Sequence, residues 1–295
     1  MVLEEVWPEG YKADFNLLES SNNENDFMES AFNYLRETCI ISVILSNSCN
    51  TDNNGNPIKW TRNQAIICGS LIRITHLLNG FLSEIVNNRM ETAMLFERSI
   101  YETSINIIYF IKKNDLKTFN DYVLYSLRYE KRLYMEIKNN IAERGSVLPI
   151  EGRMLRSIEK SFEKSAVSID DVNEKSKDTW GGSIRNRFKY IEKDNLYDVL
   201  ISRVSHTTHG NWQDLITHYL QYNDDLTFEP KTQSSRPRPQ VLCALTVILI
   251  QMLIVYSNWH MDDCIEREVI IKRLEVIDEE IHLVDNYHES YLSRD

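Results

Sequence analysis

TRNQAIICGSLIRITHLLNGFLSEI, residues 61–85, decides the fold class. Ile67, Leu71, Ile74, Leu78, Leu82 and Ile85 recur every three or four residues, which places them on one face of an α-helix at 100° per residue. Thr61 followed by Gln64 reads as a capping box, in which each side chain meets the other residue's backbone N–H. Outward on the C-terminal side, NNR (87–89) is a break, and METAMLFERSIYETSINIIYFIK (90–112) carries Met90, Met94, Ile105 and Tyr109 on one side and Phe96, Ile100 and Ile107 on the other. A helix apolar on two sides belongs at the centre of a bundle. Outward on the N-terminal side, Phe27, Ala31, Tyr34, Leu35, Thr38 and Leu45 repeat at helical spacing over 26–47, and TDNNGNP (51–57) ends that helix.

The same period continues downstream. Helices are expected over 115–143, from Pro149 onward, over 184–192, from Asn195 to near His209, over 240–259 and over 261–290. TWGGS (179–183) and a polar loop at 223–240 containing SSRPRP punctuate them. The reading is all-α, a single large helical bundle of about eight to nine helices. It divides into an N-terminal helical segment (1–60), a core bundle (61–222), a loop (223–240) and a C-terminal helical hairpin (241–295).

Composition agrees. Only 9 Gly and 6 Pro interrupt 295 residues, and 42% of them are hydrophobic, so long uninterrupted helices with a substantial core are affordable. The net charge of −11 argues against a protein that coats duplex DNA, while leaving room for a local basic site. The five cysteines, Cys39, Cys49, Cys68, Cys243 and Cys264, show no spacing suited to zinc or a redox pair and read as reduced thiols of the cytoplasm. The first residues, MVLEEVWPEG, lack the basic region and apolar core of a secretory signal. VLCALTVILIQMLIVY (241–256) falls short of the roughly 20 residues a spanning helix needs, so it reads as a buried core helix and no membrane partner is expected.

Two stretches carry the chemistry. Arg98 and Glu102 are four residues apart on an apolar stripe with Met94, Leu95, Tyr101 and Ile105, where burial is expected and an ion pair is needed to offset it. NLYDVLISRVSHTTHGNW (195–212), projected as a helix, gathers Asp198, Ser202, Ser205, His206 and His209 within about 100° of arc. Arg203 lies among apolar neighbours and requires an anionic partner, for which Glu102 is a candidate, or an anionic ligand. Gly210 after His209 marks a helix end, where histidines also serve as caps against the backbone dipoles. The functional reading gives His206 or His209 the role of general acid or base and Arg203 that of stabilising a phosphoryl transition state. A metal reading would add Glu102 or Asp198 to the two histidines, but no HExxH is present, and neither metal nor cofactor is expected.

WGGSIRNRFKYIEK (180–193) adds Arg185, Arg187, Lys189 and Lys193 beside Trp180, Phe188 and Tyr190, a composition suited to a phosphate-bearing strand with stackable bases and equally to a solvated helix face. With Ser205 and Trp212, Arg185, Arg187 and Lys189 form the expected substrate-binding set. His76, His218, His260 and His288 stand alone in sequence and read as structural or surface residues.

The ordered set ERSIYE (97–102), WGGSIRNRF (180–188) and LYDVLISRVSHTTHGNW (196–212) resembles an uncharacterised bacterial family catalogued as domain of unknown function family 5677. Its members carry an Arg-Ser-x-x-Glu helix and a later His-Gly-x-Trp ending. The resemblance covers about 90–215 and implies an all-helical fold without an established activity. More loosely, Arg203, five intervening residues and His209 are similar to the signature of HEPN ribonucleases, helical and usually dimeric proteins that cleave RNA without metal and often act as toxins or phage-defence effectors. Carried over by position, Arg203 holds the scissile phosphate and His209 handles the proton; Val204 departs from the polar residue common after that arginine. The expectation is a HEPN-like metal-independent endoribonuclease or degenerate relative, a cytoplasmic homodimer acting on RNA in a toxin or defence role with a partner protein. The rival expectation is a non-enzymatic binding or sensor module for an anionic ligand or partner protein.

Overall fold

The computed structural model describes residues 10–51, 54–176 and 179–294, with the side chain of Arg203 also outside the description. The fold is mainly all-α with one small two-stranded sheet. After a short helix α1 (Phe15–Ser20), the long helices α2 (Glu24–Asn47), α3 (Arg62–Val86) and α4 (Met90–Lys113) run as their patterns predict. The Thr61/Gln64 capping box opens α3. The NNR break is a left-handed turn, with Asn88 at φ 55°.

The helix expected over 115–143 is broken instead at Leu127 into α5 (Leu116–Ser126) and α6 (Arg128–Arg144). Leu127 is buried against Val123, Ile137, Ile158 and Phe162, so turning the chain there buries both halves in a small second core with α7 (Pro149–Ser165). Gly145, at φ 76°, supplies the left-handed residue that ends α6.

Downstream come α8 (Ile184–Tyr190) and α9 (Asp194–Tyr197). The single helix expected from 195 to 209 is interrupted by a π-helical turn, Asp198–Ser202, before α10 (Arg203–His209). A π turn inserts one residue and shifts the phase of all that follows. Val199 is therefore turned outward, 61% exposed, while Leu200, Ile201 and Val204 are buried. Gly210 at φ 55° ends α10, and α11 (Trp212–Asp214) continues into a second π turn, Leu215–Tyr219. The expected loop 223–240 begins inside an antiparallel hairpin, β1 (Leu220–Tyr222) with β2 (Phe228–Pro230), and ends at α12 (Pro239–His260), followed by α13 (Ile265–Leu292).

One hydrophobic core draws on residues from Leu18 to Val284. Within it α12 packs against α2, α4 and α13, while α4 also meets α3, α8 and α10. By length and composition both α3 and α12 are apolar enough to cross a membrane; 67% of the apolar window of α12 is buried inside the protein, against 39% for α3. Charged groups join the ends of the core: Arg273 of α13 holds Glu37 of α2 through two hydrogen bonds of 2.7 Å and donates to the Tyr11 carbonyl at 2.8 Å.

Candidate functional site

The structure brings part of each sequence constellation into contact through α4 and α10. Arg98 Nε donates to Glu102 Oε1 at 2.9 Å, and the same guanidinium donates through Nη1 to Ser205 Oγ at 2.9 Å. Ser205 in turn donates to the Ile201 carbonyl at 2.6 Å. The expected burial of the ion pair is corrected: the Arg98 and Glu102 side chains remain 22% and 35% exposed, because α10 covers only one flank of the stripe. The wholly buried carboxylate of that helix is the neighbouring Glu97.

The basic segment on α8 separates into three different environments. Arg187 is buried, its guanidinium 4.1 Å above the Trp180 ring and donating to the Trp180 carbonyl at 3.2 Å. Burial pushes its pKa down, and the charge of Glu102 opposes that shift. Arg185 forms ion pairs with Asp194 at 3.5 Å and Asp198 at 3.3 Å and lies over the Tyr197 ring. Lys189, exposed like Arg185, joins none of the described ion pairs. Trp212 is also exposed but packs edge-on against Phe228 of the hairpin.

The histidines part company. His209 is exposed at the end of α10, and no described hydrogen bond or ion pair reaches it. The Arg203 side chain, its expected partner, lies outside the described residues. His206, one turn earlier, lines a cleft of about 570 Å³ with Thr207, Asp214, His218, Lys231 and Arg236. Arg238 and Val241, at the start of α12, and Met90 and Met94 of α4 close it. The volume lies within the range of small-molecule sites.

Local geometry explains how this wall forms. The left-handed Gly210 lets the chain reverse, and Asn211 then caps α11, its Oδ1 accepting from the Asp214 N–H at 3.2 Å. The Asn211 amide nitrogen thereby faces His206 Nδ1, 2.7 Å away. Asp214 is buried beneath the cleft, its Oδ1 without a hydrogen-bond partner among the described residues. The second π turn carries His218, whose Nδ1 lies 3.6 Å from Glu91 Oε1 and 3.4 Å from Ser235 Oγ. Glu91 also accepts the Ser235 backbone N–H at 2.6 Å, which fastens the segment after β2 to the first turn of α4. Burial raises the Glu91 pKa, but the Ser235 N–H, its own backbone N–H and His218 outweigh burial and hold it below the ordinary carboxylate value.

Sequence reasoning singled out Arg98, Glu102, Ser205 and His206, but it missed the cleft residues Asp214, His218, Lys231, Arg236 and Arg238 and, behind His218, Glu91. The available signal was weak: a glutamate in the first turn of a helix and a basic cluster before Pro239. Among the described residues no three His, Cys, Asp or Glu side chains gather as a metal site would require.

The model of a family described as "Family of unknown function (DUF5677)" matches residues 64–227, more than half of the chain. The chain belongs to that family. The DUF5677 segment spans α3 to the hairpin turn and contains the Arg98–Glu102–Ser205 cluster and the histidine wall of the cleft, whereas Lys231, Arg236 and Arg238 lie beyond it. Among curated proteins and among solved structures, none matches the chain.

Proposed function

We propose that this DUF5677 protein is a metal-independent ribonuclease that seats an RNA phosphate in the cleft beside α10. One observation carries the reading: His206 and His218 line the same cleft of about 570 Å³ as Lys231, Arg236 and Arg238. Permanently charged side chains supply electrostatic attraction for phosphate, and imidazoles titrate where proton transfer at neutral pH is efficient. The local charge reverses the sign of an otherwise acidic chain, as a site for anions requires. The reading transfers the chemistry of the HEPN resemblance from His209 to the cleft. The homodimer, the partner protein and the toxin or defence role rest on that resemblance alone, and a cytoplasmic setting rests on five cysteines that form no disulfide.

The test is incubation of the purified chain with total RNA in excess chelator, alongside a variant with Lys231, Arg236 and Arg238 all changed to Ala. Cleavage by the wild type and weaker RNA binding by the variant are expected. RNA neither bound nor cut ends the reading. RNA bound at the cleft but never cut supports the anion sensor instead, a reading favoured by the attachment of the basic segment to α4 through Ser235 and Glu91.

A further inference from the structure

We infer that His206 and His218 are fixed in opposite tautomers toward the one cleft, with His218 as the general base, His206 as a hydrogen-bond donor to phosphoryl oxygen, and Glu91 positioning His218. The inference rests on the ribonuclease reading and names the residues that do its chemistry.

The tautomer of His206 follows from Asn211. Oδ1 of that amide is occupied by the Asp214 N–H, so the amide N–H₂ is the group that faces His206. A donor opposite Nδ1 requires Nδ1 to accept, which leaves the proton of the neutral ring on Nε2. His218 has the reverse arrangement. Its Nδ1 lies 3.4 Å from Ser235 Oγ, whose O–H is directed to Glu91 so that its oxygen accepts. Glu91 itself lies 3.6 Å from Nδ1; its side chain is 7% exposed, and its negative charge repels a ring lone pair and attracts an N–H. The Nδ1–H form leaves Nε2 as the lone-pair nitrogen, and no described residue hydrogen-bonds it. The His218 side chain is 12% exposed, so its open edge is the one toward the cleft that it lines. Both rings are thus assigned by neighbours that are themselves held: Asn211 by a helix cap, Glu91 by the Ser235 N–H.

A ribose 2′-hydroxyl beside a phosphodiester meets this arrangement as follows. His218 Nε2 takes the hydroxyl proton as the 2′-oxygen forms its bond to phosphorus, and the imidazolium produced is balanced by Glu91. His206 Nε2–H donates to a non-bridging oxygen, adding to the attraction of Lys231 and Arg236 for the charge that develops there. The bond from phosphorus to the 5′-oxygen breaks, and the leaving oxygen takes a proton from water. The hydroxide so formed recovers the proton from His218, giving a 2′,3′-cyclic phosphate and a 5′-hydroxyl with no oxidation or reduction. Asp214 adds a buried acceptor beneath the cleft for a ligand hydroxyl or amino group.

Long-range ¹H–¹⁵N spectra of the full chain labelled at histidine read the tautomers directly. We expect the Nδ1–H pattern for His218 and the Nε2–H pattern for His206, with Glu91→Gln moving His218 away from Nδ1–H. Cleavage by His218→Ala and by the larger His218→Gln should fall by about 100-fold or more, the usual contribution of a general base. Binding of a 2′-O-methyl RNA, which cannot react, should change less than about 3-fold in both. A wild type that cleaves RNA beside His218 variants of equal rate overturns the inference and leaves the ribonuclease reading standing. The same tautomer at both rings also overturns it, as does cleavage at a 2′-deoxy residue. A wild type that cuts no RNA removes both.

Discussion

Arg98 divides its guanidinium between Glu102 on its own helix and Ser205 on α10. Because the arginine is 22% exposed, water can replace a lost partner, and Ser205→Ala should cost only about 1 kcal/mol in urea unfolding. Glu102→Gln should cost a similar amount, and the double variant less than the sum, since both act on one guanidinium. Glu91 should respond differently. Its pKa is depressed in the folded protein, so its contribution is full above the unfolded value near pH 4 and is lost as pH falls through the folded value. The expected outcome is an acid limb of the stability profile that flattens in Glu91→Gln, read by melting temperature between roughly pH 5 and pH 3. Such pairs were unequally legible in the sequence. Spacing of four exposes Arg98 and Glu102 to any helical projection, and Ser205 appears as a polar position on the facing helix. The meeting of Glu91 with His218 has no local signature, because only tertiary folding joins the start of α4 to the second π turn.

At the scale of elements, the long amphipathic helices were legible because period and caps agree, as at Thr61 and Gln64. The π turn at Asp198–Ser202 was not: Val199, Leu200 and Ile201 are apolar in succession, so no period distinguishes which of them faces inward. The structure does, and it makes a prediction. Val199→Ser should change stability by less than about 0.5 kcal/mol, whereas Leu200→Ala should cost about 2–5 kcal/mol, measured by chemical unfolding. Equal costs would restore the uninterrupted helix. The hairpin escaped notice for a different reason: its strands are three residues each, too short for alternation to register, and its aromatic contact between Tyr222 and Phe228 reads as loop composition.

For the whole molecule, α12 packs against α2, α4 and α13, and 67% of its apolar window is buried, the core position expected in the sequence from an apolar run of only 16 residues. Its C-terminal residue, His260, accepts burial in exchange for a place beside the Ser48 carbonyl, 3.3 Å away. Burial lowers its pKa below the ordinary 6.5, and the Ser48 carbonyl only partly opposes that. A depressed folded pKa means that stability is full above about 6.5 and is lost as pH falls, when the unfolded chain takes up the proton first. The melting temperature should therefore begin to fall below pH 6.5, and His260→Gln should remove part of that slope. Between α2 and α13, Glu37→Gln should remove the nearer of two carboxylates from Arg273, leaving Glu280 at 3.7 Å, and cost about 1.5–3 kcal/mol, seen as earlier unfolding in urea.

The attachment of Ser235 to Glu91 makes the cleft a joint product of two stretches of chain with different standing. The imidazoles belong to the DUF5677 segment, while the fixed positive charges arrive on a strap that the segment does not include. The two stretches are thereby interlocked, since the strap that brings the positive charges also anchors the carboxylate beside His218. A strap exchanged between Pro230 and Pro239 would have to keep a backbone donor at the Ser235 position, or His218 would lose the anchoring of Glu91 together with the positive charges.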